Sequence, residues 1–565
     1  MWAHSQTEGP AFRTSIPWPL HVPFDWLKID QSDVAIPTRS GSVSLTSTLV
    51  VDPAAMSSTS LFTLEDAKAS FNLFCCVYGI GTLGMPGNFA RAGPLWGLVA
   101  LLFMALVNVY ASVVCSKVLL KAPSSVQTFA DLGAWALGPR GRVAVVLSQM
   151  GVCLFVPCAF LVLGGTLLDV IIPAAFPPPV WSILMAISIL PVTLVPTLKE
   201  GAGAALAGCV GTILADFIAL GILVHYLHGS ASSTHVPSPA ISFHSLASTF
   251  GNLSLAYGAA IVIPDLQRQH AHPERMPRVV LVTMLLVSVL FVAIATTGYA
   301  MVGCQIPGNL LFAVSGTALG FTAARGAVVL AFMMMQLHIT IGFSVILHPS
   351  FYYAERWVLG VHAAPDDSAK TTSRFQVLAE GDDDDDGDDH EAANGKPLCE
   401  NDDASNVADP DTPTATDSAV TTHSSSSTGG SSSSNPKFIQ CCVLRVAIVT
   451  FLTIVSVLLH DHFHELVDLI GASSVSLSCI ILPIACYLQV CADDIGAIER
   501  IFCCVTIVVC GVLSLYVTVE SAAAMVAPPA ADTGIVFPFC PAPYQVFSYT
   551  NASHYATTTT AINPR

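Results

Sequence analysis

Eleven apolar runs, each long enough to cross a bilayer as a helix, account for most of this 565-residue chain. They cover approximately 66–92, 94–120, 143–172, 180–198, 203–227, 245–268, 278–302, 324–348, 441–460, 466–490 and 499–526. A hydrocarbon core of roughly 30 Å takes about 20 helical residues to cross. Lipid offers the backbone no hydrogen-bond partners, so such runs are confined to helices. The chain is therefore expected to be an all-α polytopic membrane protein. Composition agrees, with 53% hydrophobic and 11% charged residues against roughly 25% charged in soluble domains. That balance excludes a cytosolic enzyme, a nucleic-acid binder and a secreted disulfide scaffold.

Charge placement sets the expected orientation. Loops on the cytosolic side carry the excess of Lys and Arg. With the amino terminus inside, Lys117, Lys121, Arg140, Arg142, Lys199, Arg268, Arg275, Arg278 and Arg356 fall on the cytosolic side, among others. Only Arg91, Arg325 and Arg565 of the 22 basic residues fall outside. Eleven crossings then leave the carboxyl terminus outside. Expected segments are a disordered cytosolic tail at 1–65, eight spans in 66–355, an acidic Ser-rich cytosolic loop at 356–440, three spans in 441–526 and an extracytosolic tail at 527–565. No basic stretch followed by an apolar one opens the chain, so no cleavable signal peptide is expected. The loop includes GDDDDDGDD and SSSSTGGSSSS, and residues 361–440 hold −13 of the chain's net −17. Such a tract cannot bury a core. It reads as a solvated spacer, or as a regulatory segment with a cytosolic partner. Residues 127–138 read as a short amphipathic helix before the third run.

The first run contains FNLFCCVYGIGTLGMPGNFARAG, with Gly79, Gly81, Gly84, Gly87 and Pro86 inside nine positions. A helix interior loses about 1 kcal/mol per Gly and about 3 per Pro, so this segment should unwind. Unwound backbone at membrane depth survives only against protein or a cavity. Its freed N–H groups, at the start of a following half-helix, suit a carboxylate. Close helix packing by small residues is the competing reading. The sixth run, STFGNLSLAYGAAIVIPDLQRQH, is interrupted by Gly251, Gly258 and Pro264. If the first ten spans form two five-helix halves, the two interruptions correspond, the arrangement that points to a transporter site.

The run GIGTLGMPGNFARAG, together with AYGAAIVIPDLQRQ and HPERMPRVV, resembles the amino acid/auxin permease family, part of the amino acid–polyamine–organocation superfamily. The resemblance covers runs one to eight well and the last three by pattern. It implies an inverted-repeat secondary transporter of five plus five helices and one more, with helices one and six broken. Amino acids would be the substrate, usually driven by protons and in some branches by sodium. By position, it implies that the amides of Gly79, Ile80, Gly81, Thr82 and Gly84 hold the substrate carboxylate. The carbonyls of Ala256, Tyr257 and Gly258 would take the amino group, with Tyr257 also a candidate gate. Sodium-coupled relatives place an Asn where this chain has Cys75, and a thiol is a poor ligand for a hard cation. Protons are thus the expected coupling ion. No cofactor is implied.

Ionisable residues inside spans are functional candidates by default. Asp216 lies in run five, Asp265 follows the Pro of run six, His338 lies in run eight and Glu520 in run eleven. Each has a competing role in packing or at an interface. The stretch HDHFHELVD, residues 460–468, could hold a metal or sense pH, or be a wet turn. Cys304 and Cys540 are the two cysteines expected outside, where a disulfide is open to them. Cys441 and Cys442 adjoin the membrane and are palmitoylation candidates. Asn551 heads a glycosylation sequon. The chain has no HExxH, GxSxG, P-loop or paired CxxC motif, and the expectation is no enzyme. A non-transporting amino-acid sensor signalling through the loop is the alternative from another class; a channel is the third. Plasma, vacuolar and lysosomal membranes are all compatible with the sequence.

Overall fold

The computed structural model describes residues 62–194, 201–233, 236–361, 436–526, 535–551 and 554. The amino-terminal tail and the acidic tract at 362–435 lie outside the described residues. Among the described residues every regular element is helical. Among the described residues nine helices are long and apolar enough to span a membrane singly: Pro94–Lys121, Phe129–Ile171, Leu206–Gly229, Phe243–Gln269, Pro273–Gln305, Arg325–Leu359, Phe438–Leu458, His460–Val490 and Ala497–Val526. A bent pair, Leu64–Val77 with Ile80–Ala92, makes a tenth; Pro178–Thr193 is apolar but shorter than these, and is numbered with the spans by its place in the chain. In chain order the bent pair is span one and Pro178–Thr193 is span four. The face where span one begins is the near face; the opposite one is the far face.

Local sequence explains where these helices start and turn. Span one opens with a capping box, Thr63 Oγ1 accepting from the Asp66 N–H and Asp66 Oδ2 from the Thr63 N–H at 2.8 Å. Asp66 is buried, yet its carboxylate also meets Arg275 Nη2 at 2.6 Å and His270 Nε2 at 3.3 Å. His270 Nδ1 accepts from the His272 N–H, which leaves Nε2 to face the aspartate. Spans one and six are thus pinned together at the near face. Spans one and two are joined at Gly93, whose φ of +81° is a conformation that favours glycine. The expected amphipathic helix is present from Phe129, and Gly138 (φ +74°) bends the chain into span three.

Span ten was not expected to be irregular. It carries two π-helical stretches, Gly471–Val475 and Leu477–Ile481. Here it packs backbone to backbone on span six, since a Cβ on Gly471 would run into the Gly251 carbonyl. Two carboxylates in the bundle have side-chain partners on other spans. Arg445 of span nine donates to Glu355 of span eight at 2.7 Å. Glu499 of span eleven accepts from Tyr110 at 2.8 Å and Tyr487 at 3.1 Å.

At the far face, Cys304 and Cys540 are joined by a disulfide. Asn551 lies on the same face, half-buried, its Oδ1 accepting from the His554 N–H. Cys441 and Cys442 sit half-buried near the start of span nine. Within 460–468, the acidic and histidine side chains diverge. Asp461 is exposed beside His460, His464 packs on Gly308, and Asp468 turns into the bundle.

Candidate functional site

The two breaks lie side by side. The first half of span one ends at Val77, and Tyr78 caps it by donating its N–H to the Phe74 carbonyl at 2.7 Å. Gly79 is extended, and Ile80–Gly84 form a tight 3-10 turn before Pro86 starts the second half-helix. The axis bends by 50° across this segment. Thr82 folds back, its N–H and its hydroxyl both donating to the Gly79 carbonyl at 3.0 Å. Among the described residues nothing accepts from the N–H groups of Gly79, Ile80 or Gly81. Three successive free amides at a helix start form a concave donor set suited to an anion.

Span six unwinds at Tyr257. Its N–H remains bonded to the helix behind it, and the Ala259 N–H donates to the Tyr257 carbonyl at 2.6 Å. The carbonyls of Ala256 and Gly258 receive no backbone donor among the described residues. The amides of Ala260 and Ile261 point at the Cys479 sulfur of span ten. The two breaks touch: a Cβ on Gly81 would lie 2.6 Å from the Ala256 Cα. Glycine at 81 is therefore demanded by close approach.

A cavity of about 220 Å³ opens at this meeting point. Gly79, Ile80, Gly81, Ala256 and Gly258 line it, and it extends along spans three, eight and ten to Asp265, which is exposed at the near-face end. Its walls are mostly apolar, with Val152, Val156, Phe160, Ile341, Val345 and Val475 prominent.

Toward the far face the path is shut. Arg91 Nη1 donates to Asp468 Oδ2 at 2.8 Å, and both side chains are only 9% exposed. Beneath them the Asn88 amide donates to Asn252 Oδ1 at 2.9 Å. A Cβ on Gly87 would meet the Gly308 Cα at 2.9 Å. Above the pair is a vestibule of about 360 Å³ whose wall includes His244, Ser248, Glu465 and Glu520.

The other sequence candidates fall around this site. Thr82 is buried and Gly84 packs on Asn252; neither lines the cavity. The Tyr257 side chain points away from it, donating to Ser288 Oγ at 3.1 Å and packing on Phe291. Asp216 lies behind the first break, fully buried, with Oδ2 accepting from the Tyr78 hydroxyl at 3.0 Å and Oδ1 unpartnered. His338 lines the cavity, its Nδ1 3.2 Å from the Gly208 carbonyl. A Cβ on Gly79 would come within 2.7 Å of its Nε2, so the imidazole is wedged against the break. Sequence reasoning overlooked Arg91 and Asp468 as a pair. The available signal was Arg91 itself, a lone base on a face otherwise nearly free of them.

The sequence profile described as "Transmembrane amino acid transporter protein" matches residues 66–526. The chain belongs to this family. Several relatives of this family member are proteins of Arabidopsis thaliana. Amino acid transporter AVT1D is 26% identical over 244 residues, 41% of this chain and 42% of the relative. Amino acid transporter AVT1I is 25% identical over 247 residues, 42% of this chain and 60% of the relative. Amino acid transporter AVT3A is 36% identical over 101 residues, 16% and 24% of the two chains. The chain thus spans about half the length of the curated relatives it matches. Among solved structures, MhsT in complex with L-phenylalanine superposes with a TM-score of 0.49 at 11% identity, over 80% of this chain and 98% of the other.

Proposed function

We propose that this family member is a secondary active transporter of neutral amino acids with apolar side chains, working by alternating access and driven by protons. The observation that carries the reading is the pairing of the two breaks at one cavity. The free amides of Gly79, Ile80 and Gly81 suit an α-carboxylate, and the free carbonyls of Ala256 and Gly258 suit an ammonium. Those two groups are common to all amino acids, so discrimination falls to the walls. The walls are apolar around the breaks, and among the described residues the one carboxylate on them, Asp265, lies at the mouth. A charged side chain there would lose its hydration without gaining a counter-charge. The Arabidopsis relatives, described as amino acid transporters, support the substrate class.

The cavity reaches the near face while Arg91–Asp468 shuts the far side, which fits one half of an alternating-access cycle. Placing the near face in the cytosol agrees with the basic loops and puts the Cys304–Cys540 disulfide in an oxidising compartment. For coupling, Asp216 is the first candidate. Among the described residues no cation pairs with it, and an unpaired carboxylate is costly to keep charged in such a site. Through Tyr78 it touches the residue that caps the first break. Uptake by proteoliposomes tests the proposal. A pH gradient should drive accumulation of leucine- or phenylalanine-like substrates with sodium replaced by choline. Accumulation only with sodium, or only of lysine or glutamate, would refute it.

A further inference from the structure

Residues 535–551 return across the far face and are fastened there in several ways. Cys540 is bonded to Cys304, at the end of span seven. The neighbouring Gln305 is buried, and its amide donates to the carbonyls of Tyr544 at 2.9 Å and Phe547 at 2.8 Å. Its Oε1 accepts from the Tyr549 N–H at 2.8 Å. One glutamine side chain thus satisfies three backbone groups of the segment. The Tyr549 hydroxyl donates to the Met301 carbonyl at 2.6 Å, and Ser548 to the Leu319 carbonyl at 2.9 Å.

What this anchor holds in place is the stretch before it. Pro538 and Phe539 line the vestibule above Arg91 and Asp468. With Val536 and Phe537 they also line a second cavity of about 280 Å³ that reaches His464. The Phe539 carbonyl accepts from the Ala240 N–H at 3.4 Å, which fixes the backbone at that residue. The Phe539 ring lies over the Arg91 guanidinium, 5.5 Å from Cζ to ring centroid. Arg91 is therefore held from two sides, by the Asp468 carboxylate and by an aromatic face.

We infer that residues 535–551 form a covalently tethered lid over the far-face gate, in which Phe539 is a positioning residue that keeps Arg91 on Asp468. The inference goes beyond the transport reading by adding a part to the gate, and it rests on Arg91–Asp468 being that gate. A lone cation–π contact is weak. Tethering makes it intramolecular, so the ring meets Arg91 at high effective concentration instead of by chance. The lid lies on one side of the gate, and no residue of 535–551 lines the cavity at the breaks. It therefore acts on opening and leaves the substrate contacts alone.

The test uses the full chain in lipid nanodiscs, with Ser248→Cys as reporter. Ser248 is half-buried on the vestibule wall. The rate at which a charged thiol reagent modifies it is measured over the background of the chain with Ser248 intact. Phe539→Leu is expected to raise the rate roughly fivefold to tenfold, in line with loss of one desolvated cation–π contact. Phe539→Trp is expected to restore the parent rate, and Cys540→Ser to match or exceed Phe539→Leu. Substrate KM at the near face is expected to stay within about twofold in all three. Arg91→Lys serves as the gate control. A raised rate in Arg91→Lys with none in Phe539→Leu and Cys540→Ser overturns the lid and leaves the gate standing. No rise in any variant overturns the gate, and the lid with it. A rise in Phe539→Leu without one in Arg91→Lys overturns the action through Arg91. Phe539→Met provides a second apolar replacement should Phe539→Leu fail to form the disulfide.

Discussion

Adding a single methyl group at Gly81 is the sharpest perturbation of the site. The new Cβ would lie 2.6 Å from both the Ala256 Cα and its Cβ. Carbon atoms rest at about 3.5–4.0 Å, so one break must move off the other by roughly 1 Å. The obstacle is backbone, and no rotamer change removes it. Overpacking of this kind costs about 1–3 kcal/mol of stability, which a large helical bundle survives. The functional cost is larger, because a 1 Å error in placing reacting or binding groups reaches about 10²-fold. Gly81→Ala is thus expected to give a folded protein that has lost about two orders of magnitude in uptake efficiency and is no longer stabilised against heat by substrate. Two neighbours calibrate the reasoning. At Gly84 the obstacle is the Asn252 amide at 2.6–2.8 Å, and at Gly258 it is the Val475 Cγ1 at 3.3 Å. A side-chain end can swing aside, so Gly84→Ala should be intermediate and Gly258→Ala mild. The assays are initial-rate uptake into proteoliposomes and substrate-dependent thermal shift. If Gly81→Ala transports within twofold of the parent, or if Gly258→Ala is the worst of the three, the contact between the breaks does not control the site.

Further outcomes follow from the same geometry. Asp216→Asn keeps a group able to accept from Tyr78, so uptake down a substrate gradient should persist while the response to a pH gradient disappears; a retained response would remove Asp216 from coupling. Asp468→Ala leaves the buried Arg91 charge uncompensated at a cost of about 3–5 kcal/mol, read as a lower denaturation midpoint, whereas an unchanged midpoint would mean Arg91 finds another partner. Phe160→Ala, on the apolar wall, should favour bulky substrates, with the preference for tryptophan over alanine rising roughly tenfold in competition uptake; no change in rank order would place the side-chain pocket elsewhere. Burial pushes the Tyr549 hydroxyl up to about 12. The folded state favours the neutral phenol, so its contribution is complete below pH ~10 and is lost as pH climbs toward ~12. Protease release of the 535–551 segment should therefore begin in that window and move to lower pH in Cys540→Ser.

The helical runs were legible because lipid leaves the backbone one solution, and the first break was legible because four Gly and a Pro fall within nine positions of an otherwise apolar run. Which way each residue of a break faces was not. Gly79, Ile80 and Gly81 reach the cavity while Thr82, Gly84 and the Tyr257 side chain turn away. Helical periodicity assigns faces only while the helix lasts, and a 3-10 turn resets the phase. The π-helical stretches of span ten have no compositional mark at all; the first lies in backbone contact with Gly251, 220 residues earlier in the sequence. Arg91 and Asp468 are 377 residues apart, and only the fold pairs them. His338 was visible as an ionisable residue in a span, but its wedge against Gly79 and Gly208 depends on two glycines from other helices.

The buried Arg91–Asp468 pair is held dry on one side and borders a vestibule on the other. Two such ions forfeit much of their hydration to meet, and their attraction repays little more than that loss. If both withdraw together into the vestibule, water returns what the contact gave, and the net climb is small. If one is deleted, the other is stranded and the climb is steep. The same contact is therefore a stiff clasp against damage and a soft one against motion: humidity, more than force, decides when it lets go.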